Sequence, residues 1–153
     1  KNPYAVALAW PTGLSDREGE DAPSGMTNLK AILFLQTLEE LKILSGLMGG
    51  RTETVMDLPG LGDLVTTSSA GRNGSFGRLL GAGKTPDEAL DILEERGVGV
   101  VEGYETADLG QRLVENLAEH QDLTLEDLPL LREINLVMYR DKSVEEAVSK
   151  IRL

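Results

Sequence analysis

The chain has 153 residues, 41% hydrophobic and 27% charged, a composition typical of one soluble globular domain and not of a disordered or collagen-like chain. Its formal net charge of −11 disfavours nucleic acid and anionic membranes as partners, because like charges repel at long range. The chain contains no cysteine, which excludes disulfides and thiolate chemistry, and its single histidine, His120, leaves little for a metal. No apolar run approaches the roughly 20 residues of a membrane helix. We therefore expect a cytoplasmic protein without a metal.

The N-terminal residues predict a short buried helix. Asn2 is a candidate N-cap, Pro3 suits the first helical position, and Pro11 prevents the helix from continuing. From Gly13 to Gly25 the chain combines acidic residues with glycine and proline, which predicts a solvated loop. The chain begins with Lys1 and not with methionine, so we expect it to be part of a longer protein.

Apolar residues at three- and four-residue steps predict the remaining helices. Two of these begin with a capping box, in which a hydroxyl side chain precedes a glutamate by three positions. The one strand-like stretch, Val98 to Val101, is short and interrupted by glycine, so we expect an all-α domain of about seven helices. The predicted helices run from Thr27 to Met48, from Thr85 to about Arg96, from Thr106 to Glu119, from Leu128 to Arg140, and from Ser143 to Ile151.

The segment from Leu58 to Gly74 has a different composition. It contains four glycines and four hydroxyl side chains, together with Asp63, Arg72 and Asn73. Glycine lets a ligand approach the backbone, and hydroxyl, amide and guanidinium groups bind anions. The segment matches neither a P-loop nor a GxGxxG turn, so composition alone leaves two alternatives, an anion site and an ordinary Gly-Ser loop.

Three motifs occur in order within and around this segment. They are Lys1-Asn2-x-Tyr4-Ala5, then Gly60-Leu-Gly-Asp-Leu-Val65 with Thr66-Thr67 and Gly71-Arg72-Asn73, and then Val100-Val-Glu-Gly-x-x-Thr-Ala107. Together they resemble the C-terminal half of the NAD(P)-dependent glycerol-3-phosphate dehydrogenases, over nearly the whole chain. The resemblance implies a multi-helix fold like the C-terminal domain of 6-phosphogluconate dehydrogenase. In the family a Rossmann domain precedes the lysine, and this chain has no strand followed by GxGxxG.

The resemblance implies two catalytic residues. Lys1 would be the general acid/base at the C2 hydroxyl of the substrate, and Asp63 would orient Lys1 or the substrate hydroxyls. The residue types alone allow other interpretations. A terminal lysine is ordinarily a solvated charge, and Asp63 could instead cap a helix that begins in Gly62-Asp63-Leu64.

The resemblance also implies binding residues. Arg72 and Asn73 would hold the substrate phosphate, with a hydroxyl from Thr67, because a guanidinium fork fits a phosphate in a bidentate manner. Arg72, Val100 and Glu102 would lie against the NAD or NADP cofactor, most of which the Rossmann domain would bind. Glu102 could equally be a surface acid beside a glycine.

The activity implied is the interconversion of dihydroxyacetone phosphate and sn-glycerol 3-phosphate, which supplies a precursor of phospholipids. Residues 1–153 would form the substrate-binding and dimerisation domain of a homodimer and would be inactive without the Rossmann domain. Two alternatives stay open. The chain could be a non-catalytic helical dimerisation module, or a dehydrogenase domain for another phosphorylated or carboxylated hydroxy substrate. The preference for NAD or NADP would depend on the absent domain.

Overall fold

A computed structural model describes residues 1–18, 25–119 and 123–151, which form ten α-helices. The helices are α1 (Asn2–Ala7), α2 (Trp10–Glu18), α3 (Gly25–Leu47), α4 (Thr52–Met56), α5 (Asp63–Ala70), α6 (Arg72–Gly81), α7 (Pro86–Glu95), α8 (Glu102–Ala118), α9 (Pro129–Tyr139) and α10 (Val144–Val148). A π-helical turn spans Leu58–Gly62, and a 3-10 turn spans Leu125–Asp127. The described ranges contain no strand, so the predicted all-α class is confirmed.

Three helix ends agree with the local signals that predict them. At the start of α7 the Thr85 hydroxyl accepts the Glu88 N–H at 3.2 Å, and the Glu88 carboxylate accepts the Thr85 N–H at 2.9 Å. Ser143 and Glu146 form the same capping box at the start of α10. After α3 the chain turns at Gly49, whose φ of 76° lies in the left-handed region that favours glycine.

Three predicted boundaries are wrong. Gly13–Glu18 belongs to helix α2 and not to a solvated loop, because Gly13 packs on α6 and Leu14 is buried in the core. Helix α8 begins at Glu102, four residues before the predicted start at Thr106. The N-cap of α1 is Lys1 and not Asn2. Residues 19–24 of the predicted loop, and His120, lie outside the described residues.

The N-terminal helices pack on a glycine face of α6. A Cβ atom on Gly77 would lie 2.0 Å from the Val6 carbonyl oxygen, and one on Gly81 would lie 2.3 Å from the Trp10 carbonyl oxygen. Any larger residue at either position would push the backbones apart. This contact buries α1 in the core and brings its first residue close to α5 and α8. None of the described helices is long and apolar enough to cross a membrane.

Candidate functional site

Lys1, Asp63 and Thr67 form one connected group on the surface. The Lys1 ammonium at the start of α1 donates to the Asp63 carboxylate at the start of α5. The same carboxylate oxygen accepts the Thr67 hydroxyl, one turn later in α5, at 3.2 Å. The hydrogen bond from Lys1 holds the pKa of Asp63 below its usual range. The side chains of Lys1 and Asp63 are 42% and 41% exposed, so a ligand can reach both.

The segment from Leu58 to Gly74 is helical and is not an ordinary Gly-Ser loop, which was one of the two interpretations that its composition allowed. The π-helical turn Leu58–Gly62 leads directly into α5, and only Gly71, with extended backbone, separates α5 from α6. Gly60 is required in the turn, because a Cβ atom there would lie 2.2 Å from the Val55 carbonyl oxygen. Gly62, and not Asp63, occupies the N-cap position of α5, so the helix-cap interpretation of Asp63 is wrong.

Arg72 and Glu102 form a second group. Arg72 is the first residue of α6 and Glu102 the first of α8, and their side chains, 46% and 43% exposed, form an ion pair. A Cβ atom on Gly99 would lie 3.4 Å from a terminal nitrogen of Arg72, so the guanidinium also covers the turn that precedes α8. Val100 lies in that turn and is 55% exposed. The start of α6 and the turn before α8 therefore share one open surface with a cation and an acid.

Asn73 is buried and joins the two helices. Its side-chain oxygen accepts the Gly103 N–H at 2.7 Å. This bond uses the oxygen of the Asn73 amide, and the amide nitrogen is the donor group of the same side chain. A Cβ atom on Gly103 would lie 2.7 Å from the Asn73 oxygen and 2.8 Å from the Asn2 carbonyl oxygen. Gly103 thus brings the Lys1 end of α1 next to the Arg72–Glu102 pair.

A recess of about 340 Å³ lies beside Lys1 and has mainly apolar walls. Its walls include Leu41, Leu44, Met48, Val55 and Leu113. Another cavity, of about 520 Å³ between α2, α7 and α10, contains none of the predicted site residues. The predicted residues other than the buried Asn73 therefore lie at the surface where α1, α5, α6 and α8 begin, and not in that cavity.

Glu40 is a completely buried carboxylate in α3 that was not predicted as a functional residue. It accepts hydrogen bonds from Tyr4 in α1, Gln36 in α3, and the backbone at the start of α9. One signal was available in the sequence, since Glu40 continues the helical spacing of the buried residues Leu33 and Thr37. A glutamate on the buried face of a helix requires partners from other elements.

The described residues form a helical domain in which residues from three separate motifs meet at one surface. A family model described as the C-terminus of NAD-dependent glycerol-3-phosphate dehydrogenase matches residues 1–149, and the chain belongs to this family. The predicted family is thereby confirmed.

Individual relatives agree with this assignment. The chain is 39% identical over 151 residues to the NADP(+)-dependent glycerol-3-phosphate dehydrogenase of Archaeoglobus fulgidus, covering 99% of the chain and 42% of that protein. It is 37% identical to the glycerol-3-phosphate dehydrogenase (NAD(P)+) of Agathobacter rectalis, covering all of the chain and 40% of that protein. The crystal structure of glycerol-3-phosphate dehydrogenase from Coxiella burnetii superposes with a TM-score of 0.74 at 29% identity, over 97% of this chain and 40% of that one. The chain thus spans about two fifths of the length of these relatives.

Proposed function

We propose that this chain is the substrate-binding and catalytic domain of an NAD(P)-dependent sn-glycerol-3-phosphate dehydrogenase. In a full-length protein it would act together with an N-terminal nucleotide-binding domain. The observation that carries the proposal is the ion pair between Lys1 and Asp63, residues 62 positions apart in sequence. Family membership supports the proposal, because both residues lie in the motifs that resemble those of the family.

The chemistry follows from the charges of this pair. When the C2 carbonyl of dihydroxyacetone phosphate is reduced, the carbonyl oxygen needs a proton, and the Lys1 ammonium is placed to donate it. Asp63 fixes the direction of the ammonium, and Thr67 fixes the Asp63 carboxylate. In the reverse reaction the Lys1 amine accepts the proton from the C2 hydroxyl. The nicotinamide cofactor supplies or accepts the hydride when it is bound.

The substrate phosphate would bind at the start of α6. Arg72 offers a planar fork, Asn73 offers its amide nitrogen, and the first turn of this ten-residue helix offers backbone N–H groups. Glu102 holds the Arg72 guanidinium in the described structure, so a phosphate would compete with this carboxylate. The second negative charge of a phosphate favours the exchange.

The cofactor would lie across Arg72, Val100 and Glu102. These residues fit the outer part of a dinucleotide, because a guanidinium can donate to its phosphates and a half-exposed carboxylate can accept from its ribose hydroxyls. A homodimer in the cytoplasm remains part of the proposal. Exposed apolar side chains such as Leu35 and Leu109, 51% and 59% exposed, supply candidate contact surface, and sedimentation of the full-length protein measures the oligomeric state.

The test is turnover of dihydroxyacetone phosphate by the full-length protein, followed as oxidation of NADH or NADPH. We expect Lys1→Ala to lower kcat by about 10²- to 10⁴-fold, the range typical of a general acid/base. Lys150→Ala, which removes an exposed lysine far along the chain, is the matched control and should keep the parental kcat. Parental turnover by Lys1→Ala would refute the proposed role of Lys1. The domain alone should show only background turnover.

A further inference from the structure

Four hydrogen-bond donors from three helices converge on the buried carboxylate of Glu40. One oxygen accepts from the Gln36 amide at 2.9 Å and from the Leu130 N–H at 2.6 Å. The other accepts from the Tyr4 hydroxyl and from the Leu131 N–H, both at 2.9 Å. Glu40 is 0% exposed, so these donors replace all of its hydration. All four partners donate, which is the arrangement that an ionised carboxylate requires.

This carboxylate connects α1 to the rest of the core. Leu130 and Leu131 lie in the first turn of α9, where backbone N–H groups have no partner within the helix. Glu40 therefore joins α3 to the start of α9. The Tyr4 hydroxyl, on a side chain that is only 2% exposed, attaches α1 to the same oxygen as Leu131.

The attachment of α1 matters because this helix carries Lys1 at its start. Tyr4 lies one turn after Lys1, and the Lys1 carbonyl oxygen accepts the Ala5 N–H at 3.0 Å. A helix of six residues does not hold its own position, so its contacts decide where it lies. The glycine contacts with Gly77 and Gly103 let other backbones approach α1 but leave its direction free, whereas a hydrogen bond to Glu40 is directional.

We infer that Glu40 is a positioning residue for the proposed reaction, which holds α1 through Tyr4 so that the Lys1 ammonium stays on Asp63 and faces the substrate. The inference rests on the proposed function of Lys1. Within the described ranges Glu40 makes no hydrogen bond to Lys1 or Asp63, so its effect on Lys1 passes through α1. Misplacement of a reacting group by about 1 Å is enough to lower a rate by roughly 100-fold.

The experiment compares Tyr4→Phe, Glu40→Gln and their double variant in the full-length protein. We expect kcat with dihydroxyacetone phosphate to fall roughly 3- to 10-fold in Tyr4→Phe, which removes one hydroxyl, and about 10- to 100-fold in Glu40→Gln. KM should stay within about twofold, because the phosphate group is bound elsewhere. The double variant should be no slower than Glu40→Gln, because both changes break the same connection.

The matched control is Glu133→Gln. Glu133 is the other completely buried carboxylate among the described residues, and it pairs with Arg132 and Lys142 and not with α1. We expect this variant to lower the melting temperature but to keep the parental kcat. The pH profile of kcat/KM gives a second readout, since it should change in Tyr4→Phe and stay in place in Glu133→Gln.

Several outcomes would overturn the inference. These are parental kcat in both Tyr4→Phe and Glu40→Gln, an equal loss in Glu133→Gln, or losses that multiply in the double variant. If Glu40→Gln fails to fold, Tyr4→Phe decides alone, because it keeps the buried ring. Lys1→Ala separates the two claims. Parental turnover by that variant refutes the proposed function, whereas an inactive Lys1→Ala with parental Tyr4→Phe refutes only the role of Glu40.

Discussion

The surface around Lys1 and the interior around Glu40 both place a carboxylate among distant parts of the chain, but in opposite ways. At the surface, Asp63 and Glu102 each face a cation, and all four side chains remain more than two fifths exposed. In the interior, Glu40 has four donors and no exposure. Exposed ion pairs add little stability, so a ligand can replace them. Removing a donor from a buried carboxylate costs much more stability than breaking an exposed ion pair. The contacts of Glu40 therefore fix the positions of helices, whereas Asp63 and Glu102 can exchange their partners for a ligand.

The largest change in stability should come from the glycine contact beneath α1. Gly77→Ala would place a Cβ atom 2.0 Å from the Val6 carbonyl oxygen, so we expect the free energy of unfolding to fall by about 3 kcal/mol. Urea unfolding of the full-length protein measures it. Gly46→Ala is the matched control, since nothing lies within 4 Å of a Cβ atom at that helical position. It should stabilise the protein by about 0.5–1 kcal/mol. Equal effects at the two positions would mean that α1 can shift freely.

The sequence predicted those helix ends that depend on residues a few positions apart. The capping boxes at Thr85 and Ser143, and the end of α3 before Gly49, depend on contacts within a few residues. Residues 13–18 were predicted as a loop from their composition. They are helical because they pack on α6, more than 60 residues later, and composition does not show that contact. The spacing of Gly74, Gly77 and Gly81 was the available signal of a close helix contact.

Some residues in and around the candidate site could be predicted from the sequence, and others could not. Motif order pointed to Lys1, Asp63 and Arg72, and the structure brings each of them to one surface with a partner. Their roles stay predictions until they are tested. Glu40 was missed because it follows Glu39, an exposed acid, and the helical spacing that distinguishes the two positions was not applied to a charged residue. The identity of its donors depends on α1 and α9, which are distant in sequence.

A smaller effect distinguishes the two kinds of carboxylate by pH. Burial raises the pKa of Glu40, so the folded state binds this proton more tightly and the contribution of Glu40 to stability falls as the pH rises through its folded pKa. The hydrogen bond from Lys1 lowers the pKa of Asp63, so its contribution is present above the unfolded pKa and is lost on acidification. From about pH 3 to 7 the parent should therefore lose stability relative to Glu40→Gln and gain it relative to Asp63→Asn. Unfolding curves at several pH values measure how the stability difference between the parent and each variant changes with pH. A change of the same sign for Glu40→Gln and Asp63→Asn would contradict the comparison.

The smallest effect concerns the exchange of partners at Arg72. Glu102→Gln removes the carboxylate that competes for the guanidinium, so dihydroxyacetone phosphate should bind about 1.5- to 5-fold more tightly. Cofactor affinity should weaken in the same variant, because the neutral amide oxygen of glutamine is a weaker acceptor for ribose hydroxyls than a carboxylate. Glu105→Gln, one turn along α8 on an exposed residue, is the control. Steady-state KM values for both substrates provide the measurement, and changes of equal sign would argue against the exchange.

The central claim, that this surface binds a phosphorylated substrate, is tested most directly by the substrate dependence of Arg72 variants. In the full-length protein we expect Arg72→Ala to weaken the apparent affinity for dihydroxyacetone phosphate by about 10- to 150-fold, as the loss of one charge-assisted contact implies. Arg72→Lys should recover only part, because a point charge lacks the planar fork. With unphosphorylated dihydroxyacetone, measured at a saturating cofactor concentration so that the cofactor contact of Arg72 does not limit the rate, both variants should match the parent within about twofold. Equal losses on the two substrates would show that Arg72 acts through folding or the cofactor and would contradict the phosphate site.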